Sequence, residues 1–302
     1  MPTSSPPPAA PRPSGLGIWI AGARPRTLPV SAAPVVVGTA AAYFAAGSLI
    51  WWRAGAALVV ALALQVAVNY ANDYSDGIRG TDDQRRGPVR LVASGLASPR
   101  AVRTAALLAC LVAAAAGFAL AAAVDWELLL VGVVAIAAAW GYTGGPRPYG
   151  YAGFGELMVF VFFGIVATCG SQYVQIATVT GTAWWGSFVV GLPTVAVLLA
   201  NNIRDIPTDA VSGKRTLAVR IGPVRARQAF GFCIAGAFLA LALVCLDAPW
   251  ALLGYLSVPL AIAPVHLVCS RDDPPSLIAG LVGTVRFTVV LAALTAIGIV
   301  VS

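Results

Sequence analysis

The chain has 302 residues, of which 59% are hydrophobic and only 10% charged, with a mean hydropathy of +0.85 and a formal net charge of +7. A soluble domain carries about 25% charged residues, so this composition excludes a water-soluble globule and points to a polytopic membrane protein. The apolar runs are long and continuous, without the two-residue alternation of a barrel strand, which selects an all-α bundle. The positive charge is scattered over inter-helix loops, so it speaks to topology and to anionic partners such as lipid or diphosphate. It gives no support to nucleic-acid binding, which needs one compact basic module.

In chain order, residues 1–15 (MPTSSPPPAAPRPSG) are rich in Pro and Ser and are expected to be a disordered tail. They lack the order of a signal peptide. Residues 16–302 then form a single membrane domain. Nine apolar segments follow, at about 27–48, 54–75, 101–123, 126–143, 153–177, 183–203, 225–247, 249–269 and 277–301, each near the ~20 residues a bilayer needs. The N-terminus and the loops after segments two, four, six and eight hold every Arg and Lys except Arg53 and Arg286. The opposite loops hold Arg53, Asp125, Glu127 and Asp247. By the positive-inside rule the N-terminus is cytoplasmic and the C-terminus outside. The abundance of Ala and Arg suits a GC-rich bacterial source, so the expected location is a bacterial inner membrane.

Two polar clusters break this apolar background at one spacing. The first is Asn69-Tyr-Ala-Asn72-Asp73-Tyr-Ser-Asp76, at the end of segment two. The second is Asn201-Asn202-Ile-Arg204-Asp205-Ile-Pro-Thr-Asp209, at the end of segment six. In each an Asn precedes an Asp by four residues and another Asp follows three or four later, a spacing that stacks the three on one helical face. Their gapless alignment four segments apart is compatible with a parallel four-helix pseudo-repeat, which would bring both clusters to the same depth. Carboxylates at a membrane boundary are costly unless neutralised. Hard divalent cations holding a diphosphate fit such oxygen ligands best. Asp73 and Asp76 are candidate ligands of one Mg²⁺ and Asp205 and Asp209 of another, with Asn69 and Asn201 as neutral oxygens.

The loops after the clusters are basic. Arg79, Arg85, Arg86 and Arg90 follow the first; Lys214, the only lysine, Arg215 and Arg220 follow the second. Lys214 and Arg215 stand directly beside the second cluster and are the candidates for diphosphate contacts, whereas Arg85, Arg86, Arg225 and Arg227 suit ordinary topology signals. Gly213-Lys214-Arg215-Thr216 lacks the upstream Gly of a P-loop, so an ATP site is not supported. Tyr142, Tyr149 and Tyr151, in the link between segments four and five, offer π faces to an allylic cation or an aromatic acceptor; interfacial anchoring is the alternative. Arg286 falls inside the last segment and is expected to be functional or paired within the bundle. The five cysteines lie in apolar stretches without a Cys-x-x-Cys pair and read as small buried hydrophobes. His266 is the only histidine, which excludes a multi-His metal site.

Together the two Asn…Asp…Asp clusters and the Gly-Lys-Arg-Thr-Leu-Ala-Val-Arg run at 213–220 resemble the UbiA-type intramembrane aromatic prenyltransferases, across essentially the whole chain after residue 15. The resemblance implies nine transmembrane helices around a central cavity with a lateral opening, holding a Mg²⁺-bound polyprenyl diphosphate. Ala-Arg-Pro-Arg-Thr-Leu-Pro at 23–29, Asn-Asp-Tyr-Ser-Asp-Gly-Ile-Arg-Gly-Thr-Asp at 72–82 and Tyr-Thr-Gly-Gly-Pro at 142–146 place it nearest the branch that prenylates 1,4-dihydroxy-2-naphthoate in menaquinone biosynthesis. The hydroxybenzoate branch continues its first motif to another Asp where this chain has Gly80. The implied reaction is electrophilic alkylation of the naphthoate ring with loss of its carboxylate. On this resemblance Arg79 joins the diphosphate contacts, and Arg24, Arg26 and Arg147 hold the acceptor carboxylate beside Tyr142 and Tyr149. Asp82 and Glu156 are candidates for the general base.

Three other readings share part of this pattern. A prenyltransferase of the same type could act on another aromatic acceptor. A CDP-alcohol phosphotransferase would share Asp73-Tyr-Ser-Asp76-Gly77 but needs Ala-Arg where Gly80-Thr81 stand. A transporter gives no reason for matched acidic clusters at one membrane face.

Overall fold

The computed structural model describes residues 15–80 and 89–302, and every regular element among them is helical. All but the last residue of the expected tail, and Asp82, Asp83, Arg85 and Arg86, lie outside the described residues. A short helix α1 (Leu16–Ala23) precedes α2 (Leu28–Ala46), α3 (Trp51–Arg79), α4 (Pro99–Ala123) and α5 (Leu128–Gly141). Then come α6 (Gly155–Ile176), α7 (Gly181–Val211), α8 (Leu217–Asp247), α9 (Pro249–Ser270) and α10 (Pro274–Val301). Eight of these are long and apolar enough to cross a membrane.

Local chemistry sets the boundaries. Ser98 and Asp273, the N-caps of α4 and α10, accept backbone N–H bonds from Ala101 and Ser276, each followed by Pro in the first turn. Gly47 and Gly80 end α2 and α3 at positive φ. The nine apolar segments map onto α2 to α10, with one departure in length. α5 has 14 residues, and at about 1.5 Å per residue falls short of the ~30 Å hydrocarbon core. Within α6, Phe160–Val166 form a π-helical stretch. Its Gly164 crosses Gly191 of α7 so closely that a Cβ on either would meet the other's backbone at 2.8–3.1 Å.

The main core lies among α2, α7, α8, α9 and α10, around Phe230, Phe287, Leu199, Leu241 and Leu291. α10 buries Leu277, Gly280, Thr284, Leu291, Thr295 and Gly298. Arg286 lies on the opposite side of that helix and is exposed, which corrects the expectation of a charge paired inside the bundle. The stripe that packs is apolar and small, so helical periodicity turns position 286 outward. The five cysteines are unpaired.

α3 and α7 run parallel, and their polar C-terminal turns share what is here called the basic end. At the far end, the Arg53 guanidinium donates to the carbonyls of Val174 and Ala123, and Tyr173 donates to Asp125, tying α3, α4 and α6 together.

Candidate active site

The last turns of α3 bury Asn69, Asn72, Asp73, Ser75 and Asp76 beside Tyr70 and Ala71, which pack in an apolar cluster with Leu91, Val102 and Ala106. Loops and neighbouring helices supply their partners. Asp76 is 2% exposed and is the hub. Lys214 Nζ lies 2.9 Å from its Oδ1, the Arg90 guanidinium 3.5 Å from its Oδ2, and the Tyr151 hydroxyl donates to it in a short bond. Lys214 also sits 4.8 Å over the Tyr151 ring, and Arg79 lies 5.2 Å from the same ring. The backbone completes the assembly: Lys214 N–H donates to Asp209 O and Arg215 N–H to Tyr151 O. The first cluster, the loop after the second, and the 3₁₀ turn Tyr149–Ala152 therefore meet at one carboxylate.

The other residues of the first cluster organise the surrounding loops. Both oxygens of Asp73 accept backbone N–H bonds, from Leu91 at 2.7 Å and Val92 at 3.0 Å. Asn69 accepts from Gln65 and donates to Ala23 O at 2.9 Å, fixing the end of α1. Asn72 accepts from the Thr143 hydroxyl at 2.7 Å. The Arg79 guanidinium donates to the carbonyls of Thr143 and Gly145, so it holds the α5–α6 link.

In the second cluster, Arg204 grips Asp205 at 2.7 Å and 2.8 Å and also donates to Asn201. Asp209 is buried. Asn202 turns the other way and donates to Glu156 Oε1 at 2.8 Å; Oε2 of that buried carboxyl has no hydrogen-bond partner among the described residues. Arg24 is half-buried at positive φ, while the side chains of Arg26, Arg147 and Arg215 are exposed. Asp82 lies outside the described residues.

Sequence reading gives no role to Asn72, Asn202 or Arg204, and treats Arg90 as a loop cation. The available signal is the second Asn in each motif. Residues adjacent on a helix point about 100° apart, so Asn201 and Asn202 necessarily serve different walls.

Beside the hub an apolar groove of about 280 Å³ runs through the bundle between α3, α4, α5 and α6. Tyr142, Tyr149 and Met158 line its basic end, Phe162 and Phe163 of the π-helical stretch its side, and Leu128 and Val174 its far end. Tyr142 and Tyr149 pack edge to face at 5.6 Å. The Tyr149 hydroxyl donates to Ala138 O at 2.8 Å, and burial pushes its pKa up to about 12, so it stays a neutral donor at any working pH.

The donor set suits a hard divalent cation: four carboxylates and two amide oxygens from two helices that end at the same face. Lys214, Arg90 and Arg204 now stand where such a cation's charge would act. Among the described residues no three acidic, His or Cys side chains converge on one point, so binding would require these cations to exchange partners.

The chain matches the UbiA prenyltransferase family over residues 31–289. It is 52% identical over 244 residues to the 1,4-dihydroxy-2-naphthoate octaprenyltransferase of Mycobacterium tuberculosis, covering 81% of this chain and 83% of that one. To the Escherichia coli protein of the same name it is 35% identical over 301 residues, covering 94% and 95%. Among solved structures, an apo UbiA homolog from Aeropyrum pernix superposes with a TM-score of 0.67 at 17% identity, over 91% of this chain and 97% of that one. A UbiA homolog from Archaeoglobus fulgidus bound to DMAPP and Mg²⁺ superposes with a TM-score of 0.64 at 16% identity, over 92% and 99%. At such identities the two solved structures speak to the fold alone.

Proposed function

The chain belongs to the UbiA prenyltransferase family, and from that premise we propose that it transfers a polyprenyl group from polyprenyl diphosphate to 1,4-dihydroxy-2-naphthoate, with loss of the acceptor carboxylate, in menaquinone biosynthesis. The observation that carries this reading is the junction at Asp76: the first acidic cluster, Lys214 from the loop after the second and the Tyr149–Ala152 turn meet there, and Tyr149 of that turn lines the apolar groove. A diphosphate head and a hydrocarbon tail need those two surfaces side by side.

In the reaction, the bond between the allylic carbon and diphosphate oxygen breaks, with the electron pair leaving on the diphosphate. The electron-rich naphthoate ring attacks the allylic carbon, and carbon dioxide is lost with its bonding electron pair restoring the aromatic ring; a proton removed on the way is returned, so none is lost overall. Mg²⁺, held by Asp73, Asp76, Asp205 and Asp209 with Asn69 and Asn201, would supply Lewis-acid neutralisation of the leaving group. Lys214, Arg215 and Arg79 bind diphosphate oxygens, and the cations now on Asp76 are available to follow that charge. The faces of Tyr142 and Tyr149 stabilise the allylic cation. Arg24, Arg26 and Arg147 hold the acceptor carboxylate. Glu156 and Asp82 remain the candidates for proton removal; Glu156 has an unpartnered oxygen to offer. By the positive-inside rule the basic end faces the cytoplasm of a bacterial inner membrane, where both charged substrates are soluble at their heads.

The test is transfer from radiolabelled polyprenyl diphosphate by purified protein, with 1,4-dihydroxy-2-naphthoate and 4-hydroxybenzoate side by side. We expect a prenylated naphthol product that disappears with EDTA, returns with Mg²⁺, and is lost in Asp76→Asn and Asp205→Asn. Full activity in both variants would sink the assigned metal site. Transfer to hydroxybenzoate alone would keep the family and discard the acceptor.

A further inference from the structure

Three glycines along the groove serve no packing purpose. Gly117 of α4, Gly132 of α5 and Gly170 of α6 all line it. A Cβ built on Gly132 or Gly170 would meet nothing within 4 Å, and one on Gly117 only a Val60 methyl at 4.0 Å. None has positive φ. Elsewhere in the bundle, Gly38, Gly164, Gly191, Gly280 and Gly298 are explained by neighbours that leave no room for a side chain. Gly55 and Gly231 also face open space, but neither lines the groove. Glycine inside a helix costs about 1 kcal/mol relative to alanine, so three in one wall without a packing reason call for another explanation.

Their depth supplies it. Gly117 and Gly170 each lie six residues before the ends of α4 and α6, and Gly132 lies four residues after the start of α5. At a rise of about 1.5 Å per residue all three sit roughly 6–9 Å inside the far end. The tyrosines mark the opposite end of the groove, with Tyr142 ten residues beyond Gly132, about 15 Å along the helix. The wall beside the glycines is also incomplete. α5 packs on α3 and α4, but forms no comparable packing with α6, and Leu129, Val131 and Val133 of the groove wall are exposed. Far from the charged head, the groove is lined by these glycines and open at its side.

We infer that Gly117, Gly132 and Gly170 determine the length of donor this enzyme accepts, by keeping the far end of the groove open so that a long polyprenyl tail runs out between α5 and α6 into the bilayer. The inference rests on the prenyltransferase reading and adds the chain-length determinant to it. Short allylic donors end before the glycines; long ones must pass them. Bulk at these positions therefore selects against long tails without touching the charged site.

The experiment compares geranyl diphosphate with a long all-trans polyprenyl diphosphate, using wild type, Gly132→Leu, Gly170→Leu and Gly132→Ala, with 1,4-dihydroxy-2-naphthoate as acceptor. In both leucine variants the ratio of long-donor to short-donor kcat/KM should fall by roughly tenfold or more, the scale on which apolar pockets discriminate by small volumes. In Gly132→Ala, which adds only a methyl into open space, the ratio should stay near wild type. Leucine variants that keep the wild-type ratio, or lose both donors equally while melting at the wild-type temperature, would overturn the inference. If wild type transfers from neither donor, the functional reading fails. The thermal shift given by each diphosphate without acceptor still decides the tail question: the long donor should stabilise wild type and not the leucine variants, and equal stabilisation of all would overturn it.

Discussion

Asp76 carries more of this site than any other side chain, because burial makes its neighbours obligatory. At 2% exposure a carboxylate is tolerated only with charge and hydrogen bonds around it, and Lys214, Arg90 and Tyr151 provide both. Removing one partner of a buried pair typically costs about 3–5 kcal/mol, since the other charge is left uncompensated. Arg90 remains in Lys214→Met, so the loss should fall near the lower figure. The double variant Asp76→Asn/Lys214→Met removes both charges of that pair and should recover only part of the melting temperature lost by Lys214→Met, because Arg90 then loses the Asp76 carboxylate, while prenyl transfer stays absent in both. Melting curves in detergent with a transfer assay check this. A Lys214→Met protein that melts at the wild-type temperature would show that the pair has no structural weight. At this scale the sequence was readable for residue type: Asp73, Asp76, Asp205 and Asp209 are picked out by spacing. What each carboxylate faces was not, because Leu91, Tyr151 and Lys214 arrive from distant parts of the chain.

At the scale of elements, glycine has two opposite uses in α6. Gly170 faces open space, whereas Gly164 lies against α7, where the Cβ of an alanine at 191 would stand 2.8 Å from its Cα. Transmembrane helices gain from such small residues because close backbone approach is what holds them together in lipid. Gly191→Leu should therefore force α6 from α7 and destabilise the protein by about 1–3 kcal/mol or more, as overpacking does. Gly170→Leu should leave the melting temperature near wild type. Equal melting temperatures for these two variants would contradict the crossing. Helix positions were legible in the apolar runs. The π-helical stretch at 160–166 and the short span of α5 were not, since both depend on what each helix packs against and not on its own composition.

For the whole molecule, the parallel course of α3 and α7 brings both acidic clusters to one end, and from the charge bias we propose that this end faces the cytoplasm. An alkaline phosphatase fused after Ser302 should then be active, and one fused in the loop before Pro99 inactive; the reverse pattern would invert the topology. The sequence by itself determined the membrane class, the helical fold, the family resemblance and the identity of the acidic clusters. Those follow from composition and short-range spacing, which are properties of contiguous residues. Only the tertiary structure decided that Arg286 points outward, that Asp73 holds the backbone of a loop, that Lys214 crosses to Asp76, and that three glycines at one depth flank a groove. Each of those joins residues far apart in the chain, and their meeting is set by helix rotation and depth, which no local pattern encodes.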